Sequence, residues 1–61
     1  MDYLVNFFDQ HEHLRYAERL RCHDDYDAIA RAECFDHPFA IELWRGDRLV
    51  RRFEPRMRMA G

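Results

Sequence analysis

Lysine is missing from this chain: all ten of its basic residues are arginine. A GC-rich genome produces that bias without any functional demand, but it leaves a surface of planar, forked donors matched to carboxylates. Glycine and proline are scarce, with two of each, which argues against a low-complexity or linker-like chain. Two cysteines, Cys22 and Cys34, are too few for the disulfide framework of a small secreted domain. Apolar runs hold only a few residues, far short of the ~20 that a membrane-spanning helix requires. The first residues, Met1-Asp2-Tyr3, lack the basic and apolar regions of a secretory signal, so a cytoplasmic location is expected.

What is present points to a folded domain. The chain is 48% hydrophobic and 15% aromatic, enough apolar surface to drive burial. At 61 residues it has room for one domain, and a chain of that size buries only roughly 60% of the surface its unfolded form exposes. Small domains commonly gain support from a metal, a disulfide or a second copy. The net charge is −2, unevenly spread: residues 1–44 carry −6 and residues 45–61 carry +4. Such an asymmetry suits pairing with a copy of the same chain or with a charged partner.

Tyr3-Leu4-Val5-Asn6-Phe7-Phe8 is rich in aromatic and β-branched residues and reads as a strand. After the polar break Asp9-Gln10-His11-Glu12-His13, apolar Leu14, Tyr16 and Leu20 are set against Arg15, Arg19 and Arg21, as in the return strand of a hairpin. That loop has no glycine, and Glu12 is poorly suited to a positive φ. Asp24 is a good helix N-cap, and Asp25 and Asp27 place negative charge in the first turn. Ala28, Ile29, Ala32 and Phe35 recur at helical spacing, so a helix is predicted from about Asp25 to Phe35. Pro38 ends it.

Phe39 to Trp44, Gly46-Asp47 and Arg48 to Phe53 form the clearest hairpin, with glycine first in a type II′ turn. A regular register sets Arg45 opposite Arg48, Trp44 opposite Leu49, Leu43 opposite Val50 and Glu42 opposite Arg51. One face then carries Ala40, Trp44, Leu49 and Phe53 with a Glu42–Arg51 pair; the other carries Ile41, Leu43 and Val50 with Arg52. The expected architecture is α+β: a β-hairpin–helix–β-hairpin (ββαββ) whose antiparallel sheet has one helix packed on one face. Residues 1–54 form the domain, and residues 55–61 a mobile basic tail.

These segments resemble a set of short bacterial proteins common in alphaproteobacteria. They share a Tyr/Phe-rich first strand, an acidic pair before an Ala-Ile-Ala helix (Asp24-Asp25, Ala28-Ile29-Ala30 here) and a closing Glu-Leu-Trp-x-Gly-Asp-Arg hairpin (Glu42 to Arg48 here). The resemblance spans Tyr3 to Phe53 and implies a hairpin–helix–hairpin domain; it implies no activity. Members often have glycine in the first turn, where this chain has Glu12.

Cys22, His23, Cys34 and His37 are potential soft metal ligands around the helix. Neighbouring strand residues such as Cys22 and His23 point to opposite faces, and an ~11-residue helix of ~16 Å separates them from Cys34 and His37. No metal or cofactor is therefore expected, and the same separation argues against a Cys22–Cys34 disulfide. His11 and His13 beside Asp9 and Glu12 have acid–base potential, but so small a chain offers little interior for a catalytic pocket. An arginine set, Arg48, Arg51, Arg52, Arg56 and Arg58, lies near Trp44 and Phe53 and allows phosphate contact with base stacking. The overall acidity opposes it.

One helix covers one face of a four-stranded sheet, and the last hairpin is apolar on both faces, so the second face calls for cover. The sequence therefore points to a non-enzymatic interaction module, homodimeric and with an unidentified protein partner. Its expected contact residues are Trp44, Leu49, Phe53 and Tyr3. A nucleic-acid-binding regulator and an accessory subunit of a larger complex are the alternatives.

Overall fold

The computed structural model describes residues 1–56. They form β1 (Asp2–Phe8), β2 (Leu14–Arg21), α1 (Asp25–Glu33), β3 (Ile41–Arg45) and β4 (Arg48–Phe53). All strand pairs are antiparallel, in the order β2-β1-β3-β4, so the α+β ββαββ architecture is the one the sequence implies. The first strands of the two hairpins pair at the centre of the sheet, and the second strands form its edges. Among the described residues no helix is long and apolar enough to cross a membrane.

Alternation on the central strands makes the core. Tyr3, Val5 and Phe7 of β1 and Ile41 and Leu43 of β3 are buried on the helix side with Cys22, Ala28 and Ala32. Leu20, Ile29, Phe35, Val50 and Phe53 pack around them. The buried alanines, at 0% and 1% exposure, let the helix backbone lie close to the sheet, which a larger side chain at those positions would prevent.

The helix begins where the sequence requires it. The Asp24 carboxylate accepts from the Asp27 backbone N–H at 2.8 Å, and Asp27 reaches back to accept from the His23 N–H at 3.0 Å, satisfying donors that have no partner inside the helix. α1 ends at Glu33, two residues before the predicted end, because the Cys34 and Phe35 backbone N–H groups donate to the Arg31 and Ala32 carbonyls at 3.1 and 3.2 Å and tighten the last turn. The Arg56 guanidinium donates to the Glu33 and Phe35 carbonyls, both at 3.0 Å. Arg56 also donates its backbone N–H to the Pro38 carbonyl at 2.9 Å. Arg56, the second residue of the expected tail 55–61, is thus held against the helix end; residues 57–61, including Arg58, lie outside the described residues.

The two turns contrast. Gly46 has φ +60° and Asp47 has none of that left-handed geometry, as a type II′ turn with glycine first requires. In the first turn Glu12 takes φ 64°, a conformation unfavourable for a side chain with a Cβ. Asp9 compensates by accepting from the backbone N–H groups of His11 at 2.8 Å and His13 at 2.9 Å.

Two irregularities shift the strand registers. Phe7 pairs with Tyr16 but Phe8 with Leu14, so Arg15 is an extra residue in β2. In the last hairpin the register shifts between Leu43 and Trp44. Trp44 faces Leu49 as expected, but Leu43 faces Arg51, Glu42 faces Arg52 and Ile41 faces Phe53. The regular register expected from the sequence is thus corrected beyond the first pairs. A bulged strand devotes two residues to the space of one, which keeps Val50 on the core and brings Phe53 to the same side.

Candidate functional site

The face of the sheet turned away from α1 is built by the residues between the core positions. Across all four strands one row reads Arg19, Leu4, Trp44, Leu49, and the next reads Ala17, Asn6, Glu42, Arg52. Phe8 and Leu14 pair at the loop end. Leu4 is 39% and Leu49 44% exposed, with Trp44 half-buried between them. The Trp44 indole N–H donates to the Glu42 carboxylate at 3.0 Å, which fixes the ring beside its two leucine neighbours.

Arg52 organises the other end of this face. It donates to Glu42 at 3.0 Å and to Glu54 at 3.3 Å, and it is ion-paired with Glu12 of the first turn. These carboxylates, Glu12 foremost, hold the guanidinium more firmly protonated. The Arg52 guanidinium also lies 5.9 Å from the Phe8 ring centroid. One side chain therefore joins the first turn, both strands of the second hairpin and the chain after β4.

Two of the four expected contact residues are not on this face. Tyr3 is 1% exposed in the core, because it shares the alternation of Val5 and Phe7; its hydroxyl donates to Asp25 at 2.6 Å. Phe53 lies on the helix side through the β4 bulge. Trp44 and Leu49 are on the open face, joined by Leu4. Sequence reasoning missed Leu4, although strict alternation against Tyr3 and Val5 was the signal for it.

The arginine set is largely committed to intramolecular partners. Arg48 donates to Asp25 at 3.0 Å, Arg52 holds three glutamates, and Arg56 serves the helix end. Arg51 lies 5.5 Å from the Phe53 ring centroid. Phe53, Arg51 and Arg56 also line a cleft of about 490 Å³ between the end of α1 and β4. The Tyr3 hydroxyl and Arg48 hold the Asp25 carboxyl below its usual value, while that carboxylate raises the Tyr3 phenol. Asp25 thus fastens the start of the helix to β1 and β4.

The candidate ligands are scattered. Cys22 is buried and Cys34 exposed, both as free thiols, and burial pushes the Cys22 thiol upward. His37 packs edge-on against Phe7 and Phe39, and its Nε2 lies 2.7 Å from the Phe8 carbonyl, to which it donates. No three His, Cys, Asp or Glu side chains among the described residues gather to hold a metal. His11 and His13 lie 6.2 Å apart over Asp9, whose carboxylate is occupied with their backbone donors; those bonds, His13 first, lower its pKa.

Fold and surface together define a small α+β domain with a one-sided helix layer and an open, partly apolar sheet face. Comparison with protein-family models, curated proteins and solved structures finds no match.

Proposed function

We propose that this chain is a non-enzymatic protein–protein interaction module that works as a homodimer through the open sheet face. The observation that carries the reading is the unbroken apolar row Leu4–Trp44–Leu49 across three strands on the side that α1 leaves uncovered. Adjacent exposed apolar side chains around a half-buried tryptophan are the usual make-up of a contact centre. A second copy supplies the same row, as a two-fold interface requires. The non-enzymatic part of the reading is supported by the absence of serine and threonine from the sequence, which removes the aliphatic hydroxyl nucleophiles. It is also supported by the structural employment of Asp9 in its turn.

Native mass spectrometry of the untagged chain tests the proposal. The dimer mass is expected for the natural sequence, and the monomer mass for Leu4→Glu and Trp44→Ala with unchanged circular dichroism. A natural chain that stays monomeric at high concentration would falsify it. The nucleic-acid alternative has less support, since Arg48, Arg52 and Arg56 are already engaged. It predicts a salt-sensitive shift of DNA or RNA. An accessory-subunit role would use the same face and would show as a second protein at fixed stoichiometry.

A further inference from the structure

We infer that the outer edge of β2 is a docking site for an acidic, extended segment of a different protein, which adds to the sheet as a fifth strand. β2 is an edge strand, and seven of its eight residues are exposed, with only Leu20 partly buried. Helix α1 packs chiefly over β3 and β4, which leaves β2 largely uncovered, with only Leu20 reaching the core. Tyr16 remains 52% exposed even though its ring stacks on Phe7 at 4.6 Å. Every second backbone N–H and C=O of such a strand points outward, ready to pair with an incoming chain.

The side chains along this edge say what kind of chain it accepts. Arg15, Arg19 and Arg21 outnumber the single acid Glu18. Arg21 has only a loose, exposed pairing with Asp2 at 3.6 Å, and no ion pair engages Arg15 or Arg19 among the described residues. Arg19 and Arg21 share the open face with Ala17, while Tyr16, Glu18 and Leu20 share the helix side. An added strand that alternates acidic with apolar residues therefore sets carboxylates opposite Arg19 and Arg21, and apolar side chains opposite Tyr16 and Leu20. Cross-strand pairs of that kind are the units that stabilise a sheet.

A second copy of the same edge does not meet that requirement. In a two-fold antiparallel pairing each register has one central residue, and every centre from Ala17 to Leu20 opposes like charges. Centring on Ala17 sets Arg15 against Arg19, and on Glu18 that residue against itself. Centring on Arg19 likewise opposes it to itself, and on Leu20 sets Arg19 against Arg21. The other edge, β4, offers Arg48, Arg51 and Arg52 and no acidic residue of its own, so it brings no strand carboxylate to Arg19 or Arg21. Like charges directly opposite destabilise the pairing; of the self-pairings centred within Arg15 to Arg21 the Tyr16-centred register alone avoids them, and it runs through the extra residue Arg15, where the strand is irregular. The regular part of the edge thus disfavours its own kind and selects an acidic one. A phosphate backbone suits it less, since it supplies no strand hydrogen bonds and meets Glu18 in mid-edge.

The test is amide NMR of the full chain titrated with short peptides of alternating pattern, Glu-Val-Glu-Thr-Ala-Val-Glu and its lysine counterpart, and with an oligothymidylate. The acidic peptide is expected to shift and slow the exchange of outward amides in residues 16–21, and to bind at least about tenfold tighter than the lysine peptide at low salt. The Arg19→Glu, Arg21→Glu double variant is expected to invert that preference. Both side chains are exposed, so the fold tolerates the change, and the two-peptide comparison on the natural chain stands without the variant. Equal binding of the two peptides, no response in residues 16–21, or a response to the oligothymidylate alone would each overturn the inference. Chain mass, which reports dimerisation through the open face, is read separately, so either proposal can fail while the other stands.

Discussion

Single residues in this domain often serve the fold against their own local preference. Glu12 holds a left-handed backbone conformation, which costs an ordinary residue ~1 kcal/mol, and its carboxylate is ion-paired with Arg52. The two effects oppose each other, and only the ion pair is screened by salt. Glu12→Gly should therefore be near neutral at low salt and more stable than the natural chain at about 1 M salt. Urea unfolding at the two salt concentrations measures the crossing, and a variant less stable in both would show that backbone strain is not the governing term. Asp25 makes a second prediction. Its pKa, and those of Asp9 and Asp27, lie below the ordinary 3.8, so their contribution is present above that value and lost as pH falls through the lowered ones. Asp25→Asn should flatten the loss of stability below about pH 4. The raised Tyr3 phenol adds a loss on the opposite limb, as pH rises above 10.0.

At the scale of elements, what decides a side chain's role is the face it occupies. Leu43 and Leu49 belong to the same hairpin, yet one is 0% and the other 44% exposed. Leu43→Ala opens a cavity between the sheet and α1 and should cost ~2–5 kcal/mol. Leu49→Ala touches no core and should cost less than ~0.5 kcal/mol of folding stability in the monomer. Chemical unfolding of both variants, on a background that does not dimerise, measures the contrast; comparable losses would mean that the open face is packed within one chain. The existence and type of all five elements were legible from alternation in the strands, the Asp24 cap, the alanine stripe and Gly46. The β4 bulge was not. Nothing in Arg48-Leu49-Val50-Arg51-Arg52-Phe53 marks where an extra residue goes, because either register places apolar residues on both faces. The bulge is favoured only once Ile41, Phe53 and the helix have to share one core.

The whole molecule is an asymmetric sandwich. α1 covers the centre and one side of a four-stranded sheet, and the same helix is tied down at its start by Asp25 and at its end by Arg56. Stability should follow that layout. Amide exchange is expected to be slowest in β1 and β3, which are paired on both sides, and at least about tenfold faster in the outward amides of β2, which open without disturbing the core. Uniform protection of β2 and β3 in the isolated chain would contradict the exposed edge. The asymmetry also separates two surfaces, an apolar row centred on Trp44 and an arginine-bearing edge in β2, each read from its own observation.

Residue patterning by itself determined the element order, the helix cap and the glycine turn, since these depend on neighbours a few positions apart. Only the tertiary structure decided which aromatics are buried and which arginines are free. Tyr3 went inward because α1 packs on the face of β1 that Tyr3 shares with Val5 and Phe7, and Phe53 because a bulge reversed its own. Arg48, Arg52 and Arg56 were drawn to carboxylates and carbonyls far away in sequence. The exposed edge of β2 follows from a fact no local pattern contains: a nine-residue helix is too narrow to cover four strands, and the chain placed it over the other side.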